Sequence, residues 1–300
     1  MSSKNSRTGV RESWLSRIFN IINVIIMTFF IVICVYPVMY VVFCSLSDPV
    51  EIAMRQGMLI KPLGFSIDAY VRVINYPMIS KGYLNTLFIV VVGVSVNIIL
   101  TSIGAYFLSR KDVFFQKYVM LFILVTMFFG GGLIPFYFTV KGIGLYDTLW
   151  ALILPAGIST FNMIILRTAF YAIPTNLEES AILDGAGNLI ILTRIIIPLS
   201  LPTISVLILY YGVGHWNSWF NAMIFLQNRS LFPLQLVLRE ILLLNDTGAM
   251  TVGVGASDAK NVSETVQYAV IVVATLPILC IYPFLQKYFV KGVMVGAVKG

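Results

Sequence analysis

The chain has 300 residues, of which 59% are apolar and only 11% charged, with a formal net charge of +7. Soluble domains carry about 25% charged residues, so this composition excludes an ordinary soluble fold. The positive excess invites nucleic acid as a partner, but the charges cluster between long uncharged stretches, and a membrane topology accounts for them better.

A short basic leader, residues 1–17, comes first. Six stretches then contain no Asp, Glu, Lys or Arg: Ile18–Ser47, Gly82–Ser109, Tyr118–Val140, Thr148–Leu166, Ile195–Asn228 and Thr265–Gln286. About 20 mostly apolar residues cross the hydrocarbon core, and Thr148–Leu166 just meets that length. Backbone polar groups must be satisfied internally in lipid, and these runs are too long for barrel strands, so the spans are helices. The expected fold class is an all-α polytopic membrane protein with six transmembrane helices, the last five at about 83–108, 118–139, 148–167, 201–226 and 266–286. The first apolar run is about twice a signal peptide's usual length and no small-residue cleavage site precedes Asp48, so a retained helix is expected.

Between the helices, Asp48–Lys81 forms an external segment with Pro49, Pro62, Gly64 and Pro77 at turns. Arg110-Lys111 closes helix 2. Gly130-Gly131-Gly132 and Pro135 interrupt helix 3, so an irregular outer half is expected. Lys141–Asp147 is a tight external turn, 167–198 the longest cytoplasmic segment, and 228–264 a second external loop. With the N-terminus inside and six spans, twelve basic and five acidic side chains fall inside, against eight of each outside. The whole positive excess then lies on one side, which places both termini in the cytoplasm. Cys34, Cys44 and Cys280 all fall in helices without metal-ligand spacing and read as packing.

The cytoplasmic loop at 174–198 has a grammar of its own. Pro174 precedes Thr175-x-x-Glu178, a capping box that starts a short helix. Leu177, Ala181 and Ile182 form a narrow apolar stripe, and Gly185 and Gly187 can supply the left-handed residue that ends the helix. A second helical run leads through Arg194 to Pro198 and Pro202. The expected form is a helix–turn–helix across the inner face of the membrane; a plain solvated linker would need neither cap nor glycine hinge.

Glu179-Ser180-Ala181-x3-Gly185-x9-Ile195-x-Ile197-Pro198 resembles the EAA signature of bacterial ATP-binding-cassette (ABC) importer permeases, with Ser180 and Ile197 in place of Ala and Leu. Gly144–Pro155 looks like the GL-x-x-T-x-x-A-x-x-x-P stretch of carbohydrate-uptake permeases similar to the maltose transporter's shorter subunit. Trp216-Asn217-Ser218-Trp219 fits that group's W-N-x-[WF] pattern. Pro233–Glu240 and the terminal Gly292–Gly300 look like the LplC/YtcP-type branch, associated with complex, often uronate-containing oligosaccharides.

The resemblance implies a type I importer permease, with 18–82 as helix 1 plus external segment, 83–287 as the transmembrane type-1 domain and 288–300 as a cytoplasmic tail. It implies a second homologous permease, two ATPase subunits and an extracellular solute-binding protein as partners, with a carbohydrate as cargo. It also implies coupling through the loop: Glu178, Glu179, Ser180, Ala181, Asp184, Gly185 and Pro198 are the candidates. Glu179 would pair with a basic group on the ATPase and Gly185 would permit the turn. The chain itself has no phosphate-binding Gly-Lys-Ser/Thr loop, so ATP and Mg belong to the partner, and no catalytic residue, metal or bound cofactor is expected.

Trp216, Asn217, Trp219 and Asn221, beside the only histidine, His215, suit either a sugar path or helix packing by polar side chains. The glycine break at Gly131 suits either unwound backbone lining a cavity or close helix approach. Arg239, Glu240 and Asp246 in the outer loop are candidates for contact with the binding protein; a solvated tether is the other reading. Two other classes fit less well. Glu178-Glu179 lacks the downstream Arg and nearby His of an intramembrane protease, since position 183 is Leu. An ion-coupled secondary transporter or channel subunit usually carries charged residues in its helices, and these six have none.

Overall fold

The computed structural model describes residues 14–55, 57–110, 113–243, 248, 250–251 and 259–297, with backbone alone for 259–260 and 281–297. The described residues are helical and contain no strand. Helix α1 (Trp14–Ser45) runs 32 residues and buries only Cys44 and Ser45. At 1.5 Å per residue it spans about 48 Å, and side chains such as Ile21, Phe29 and Val32 face outward. An apolar surface of that extent is stable against lipid or another protein, not water.

Two short helices follow, α2 (Pro49–Met54) and α3 (Asp68–Asn75). Asp48 caps α2 by accepting the N–H groups of Val50 at 2.9 Å and Glu51 at 3.2 Å, with Pro49 in the first turn. The segment 48–81, expected to be an external stretch marked by turns, is therefore partly helical. Pro77 likewise opens a helix, α4 (Pro77–Ser109), rather than a turn.

Helix α4 is the axis of the bundle. Its first half packs with α3, α14 (Leu234–Leu243) and α15 (Ala259–Ala297) around Val73, Ile89, Leu234, Val237, Val266 and Val270. Its second half packs with α8 (Thr160–Tyr171) and α12 (Leu201–Trp216) around Ala105, Leu108, Leu166, Phe170, Ile196 and Leu207. Gly82 lets α14 approach closely, because a Cβ there would lie 3.1 Å from Leu234 Cα. The Leu234 N–H also donates to Thr86 Oγ1 at 2.9 Å. The charged interval between the last two uncharged runs reads as a loop at 228–264; α14 is an amphipathic helix within it that buries Leu234, Leu236, Val237 and Ile241.

Among the described residues, three helical segments are each long and apolar enough to cross a membrane: Trp14–Ser45, Pro77–Ser109 and Asn261–Cys280. The other expected spans are broken. The third divides into α5 (Gln116–Phe128) and α6 (Leu133–Gly142), bent by 115°. Gly132 at φ +83° makes the corner, and the outer half beyond it stays helical instead of irregular. The fourth divides into α7 (Trp150–Ile153) and α8, separated by Leu154–Ser159. Pro155 lies in this break, and Ser159 caps α8 from the Asn162 N–H at 3.4 Å. The fifth divides at 217–219 into α12 and α13 (Phe220–Phe225).

Candidate functional site

The segment between α8 and α12 forms the expected helix–turn–helix. Helix α9 (Thr175–Leu183) starts where Pro174 predicts, but Thr175 is its first helical residue and no side chain caps it. The expected capping box is absent because Pro174 occupies the cap position, one residue before Thr175; Glu178 instead forms an ion pair with Arg110, one residue past the end of α4. The apolar stripe is largely unburied. Leu177 and Ile182 are exposed, and only Ala181 and, past the turn, Ala186 touch the core. Gly185 takes φ +81° and ends the helix, with the Ala186 N–H reaching back to the Ala181 carbonyl at 2.9 Å. Gly187 has φ −75° and takes no part in that reversal.

The second limb is α10 (Asn188–Ile191), one wide π turn at Leu192–Ile196, and α11 (Ile197–Leu199), which holds Pro198. It bends by 86° into α12. A wide turn followed by a proline is a common way for a helix to change direction. Within the loop, Glu179, Ser180, Asp184 and Gly185 are exposed. Two adjacent glutamates thus have opposite environments, Glu178 against the bundle and Glu179 open.

The end of α4 that holds Glu178 is a knot of polar contacts. The Arg110 guanidinium sits 4.4 Å above the Tyr106 ring and also donates to its hydroxyl. That hydroxyl reaches Asn188 Oδ1 on α10 at 3.5 Å. The Leu108 carbonyl accepts from Gln116 on α5 and from Arg167 Nε on α8, the latter at 2.7 Å. Carbonyls in the last turn of a helix lack intrahelical donors, and cations there complement the helix dipole.

Deeper along α4, Asn97 and His215 form a buried pair, with His215 Nε2 2.6 Å from Asn97 Oδ1. The Asn97 amide donates to the carbonyls of Ala156 at 2.6 Å and Gly157 at 2.9 Å. Tyr211 on α12 bonds Thr101 at 2.7 Å and accepts the Ser159 N–H at 3.1 Å. Together these groups satisfy the unwound backbone between α7 and α8, which would otherwise be costly in lipid. Asn97 lies in an uncharged run, where an intramembrane amide was the available signal; His215 stood out as the only histidine, but nothing local linked it to Asn97, 118 residues away, or either of them to the carbonyls of Ala156 and Gly157.

The four candidates around the end of α12 do not form one surface. Trp216 is buried, edge-on to Tyr83 at 6.2 Å. Asn217 is exposed and its amide donates to the Val213 carbonyl at 2.9 Å, closing α12. Trp219 is exposed and lies 5.0 Å from the Arg239 guanidinium; Asn221 is half-buried. The break at Gly131 faces open space. Glu240 pairs with Arg229 at 2.7 Å, so Arg239 and Glu240 engage different neighbours. Asp246, Asp258 and most of the Gly-rich centre of this loop lie outside the described residues. Among the described residues no group of three or more His, Cys, Asp or Glu side chains could hold a metal ion.

One contact at this end was not foreseen. Asp147 Oδ1 accepts the Gln227 and Asn228 N–H groups at 2.8 and 2.9 Å, joining the α6–α7 turn to the strand of chain after α13. The Asn228 and then the Gln227 N–H hold its carboxyl below the usual carboxylate range.

Comparison with solved structures places the fold. A crystal structure of a bacterial ABC transporter involved in the import of the acidic polysaccharide alginate matches with a TM-score of 0.85 and 31% identity, covering 93% of this chain and 99% of that one. The architecture is that of an ABC importer permease, embedded in a membrane. No family model matches the chain. Among curated proteins, the polygalacturonan/rhamnogalacturonan transport system permease protein YtcP of Bacillus subtilis is 39% identical over 95% of this chain and 99% of its own length. Protein LplC of the same organism is 39% identical over 95% of this chain and 96% of its own. The chain belongs to the family of ABC sugar-transport permeases that contains YtcP and LplC, and it is a permease subunit rather than an enzyme.

Proposed function

We propose that this chain forms, with a second homologous permease, the transmembrane path of an oligosaccharide importer in a bacterial cytoplasmic membrane. The six spans are α1, α4, α5–α6, α7–α8, α12–α13 and α15, with both termini in the cytoplasm and residues 83–287 as the type-1 permease domain. Two cytoplasmic ATPase subunits hold the nucleotide and Mg, and an extracellular binding protein delivers the sugar. Uronate-containing oligosaccharides are the favoured cargo, because YtcP is named for polygalacturonan and rhamnogalacturonan and the alginate importer for an acidic polysaccharide.

The observation that carries this reading is the presentation of α9. It buries none of its residues and leaves Glu179, Ser180 and Asp184 exposed at the end of the bundle, a short rigid helix open to a partner. Glu179 supplies the charge for a basic group on the ATPase. Gly185 supplies the reversal, and Pro198 begins the turn that carries motion into α12. At the opposite end, Trp219, Asn217 and Asn221 are candidates for the sugar path, and Arg239, Glu240 and Asp246 for the binding-protein contact.

The test is a cross-link. A Ser180→Cys variant, with Cys34, Cys44 and Cys280 replaced, is expected to capture the ATPase subunit with a short bifunctional reagent and to do so differently with and without ATP. Failure of Ser180→Cys to capture the ATPase from an assembled, ATP-hydrolysing complex would overturn the docking role of α9.

A further inference from the structure

We propose that the Arg110–Glu178 ion pair is the mechanical link between α9 and the transmembrane bundle, so that a push on α9 moves α4 instead of bending the loop alone. The inference rests on the reading of α9 as the helix that engages the ATPase.

Helix α9 has little else to hold it. None of its residues is buried, and its apolar contact with the core comes through the small side chain of Ala181. Glu178 and Arg110 are by contrast well covered, with 14% and 16% of their side-chain surface exposed. The pair is part of a directed chain: the Arg110 guanidinium donates to the Glu178 carboxylate and to the Tyr106 hydroxyl, which donates to Asn188 Oδ1. Glu178 lies on the first limb of the loop and Asn188 on the second, with the Gly185 reversal between them. Both limbs are therefore gripped by one turn of α4, on either side of the hinge that could decouple them.

Helix α4 is suited to carry the displacement onward. It is continuous over 33 residues. It holds the unwound segment before α8 through Asn97, and its far end binds the carbonyls of Ser230 and Phe232 through Asn85. A movement received at Arg110 thus reaches the opposite end of the bundle through one rod. In this arrangement Glu178 is a positioning residue acting through Arg110, while its neighbour Glu179 faces the partner. Adjacent acidic residues divide the work of docking and transmission.

The experiment uses the full complex of both permeases, ATPase and binding protein in proteoliposomes, and reads sugar imported per ATP hydrolysed. Arg110→Glu and Glu178→Arg are each expected to lower that ratio about tenfold, and the combined swap to return it to within about threefold of the unmodified complex. Glu178→Gln, nearly isosteric and gentle on folding, is expected to lower the ratio while the ATPase still co-purifies. A purely structural role would reduce the amount of assembled complex and leave the ratio unchanged. An unaltered ratio in Glu178→Gln, or a swap no better than the poorer single variant, would overturn the link alone. Absence of ATP-dependent uptake from the unmodified complex would overturn the reading of α9 on which it rests.

Discussion

His215 on α12 and Asn97 on α4 meet at 2.6 Å in the interior of the bundle, and the Asn97 amide continues to the carbonyls of Ala156 and Gly157. One asparagine side chain thus joins two long helices to the unwound stretch between α7 and α8. Asn97→Leu keeps the number and branching of the side-chain heavy atoms and removes all three bonds. Interhelical hydrogen bonds in membranes contribute about 0.6–1.7 kcal/mol each, so a loss of about 2–5 kcal/mol is expected. Denaturation of the detergent-purified protein measures it, and an unchanged midpoint would show that the break holds itself.

The same contact constrains Gly93. A Cβ at this position would lie 2.7 Å from His215 Nε2 and 2.9 Å from Cε1, and the ring cannot withdraw without breaking its bond to Asn97. Gly93→Ala is expected to destabilise by about 1–3 kcal/mol, as overpacked cores do. In a double-mutant cycle, His215→Ala should recover part of that loss; strictly additive effects would contradict the packing described.

Gly185 has φ +81° with no atom near the position of a Cβ, so its requirement is conformational rather than steric. Gly185→Val should cost about 1–2 kcal/mol of local stability, whereas Gly185→Asn, which tolerates the left-handed region, should cost less. Uptake by reconstituted complexes is expected to follow the order Gly, Asn, Val. Equal transport by the Asn and Val variants would show that the reversal is not needed.

Asp147 gives a pH-dependent prediction. Its carboxyl is held below the ordinary range by the Asn228 and Gln227 N–H groups. A depressed folded-state pKa stabilises the structure above the unfolded-state pKa, and that contribution is lost as pH falls through the folded-state value. Exchange protection of the Gln227 and Asn228 amides should therefore persist at neutral pH and fade only once the pH has fallen below the ordinary carboxylate range. Asp147→Asn can still accept both bonds and should retain partial protection, whereas Asp147→Ala should lose it at every pH. Full protection in the Ala variant would show that the clasp is maintained by other contacts.

Long uncharged runs made α1 and α4 legible from composition, because lipid sets a minimum helix length and forbids buried charge. The start of α9 at Pro174 and its end at Gly185 were legible too, since proline and glycine act locally. The break at Leu154–Ser159 was not. Pro155 marks it only weakly, and the groups that satisfy it, Asn97, Thr101 and Tyr211, come from α4 and α12. Nor was the orientation of Glu178. Thr175-x-x-Glu178 has capping-box spacing, but Pro174 occupies the cap position, and Glu178 pairs with Arg110, 68 residues earlier. Helix α14 was hidden because its apolar face is short and follows Pro233 in an otherwise polar segment. Local rules located the loop at 174–198; long-range pairing decided which of its two glutamates faces out.

The most direct test of the central claim is uptake of a defined oligogalacturonide by proteoliposomes containing both permeases, the ATPase and the binding protein, with and without the Glu179→Ala substitution. Uptake that requires internal ATP and the binding protein, and that falls at least about tenfold in the variant, is expected for a charge partly buried against its partner. Uptake driven by an ion gradient without the ATPase, or undiminished ATP-dependent uptake in Glu179→Ala, would contradict coupling through α9.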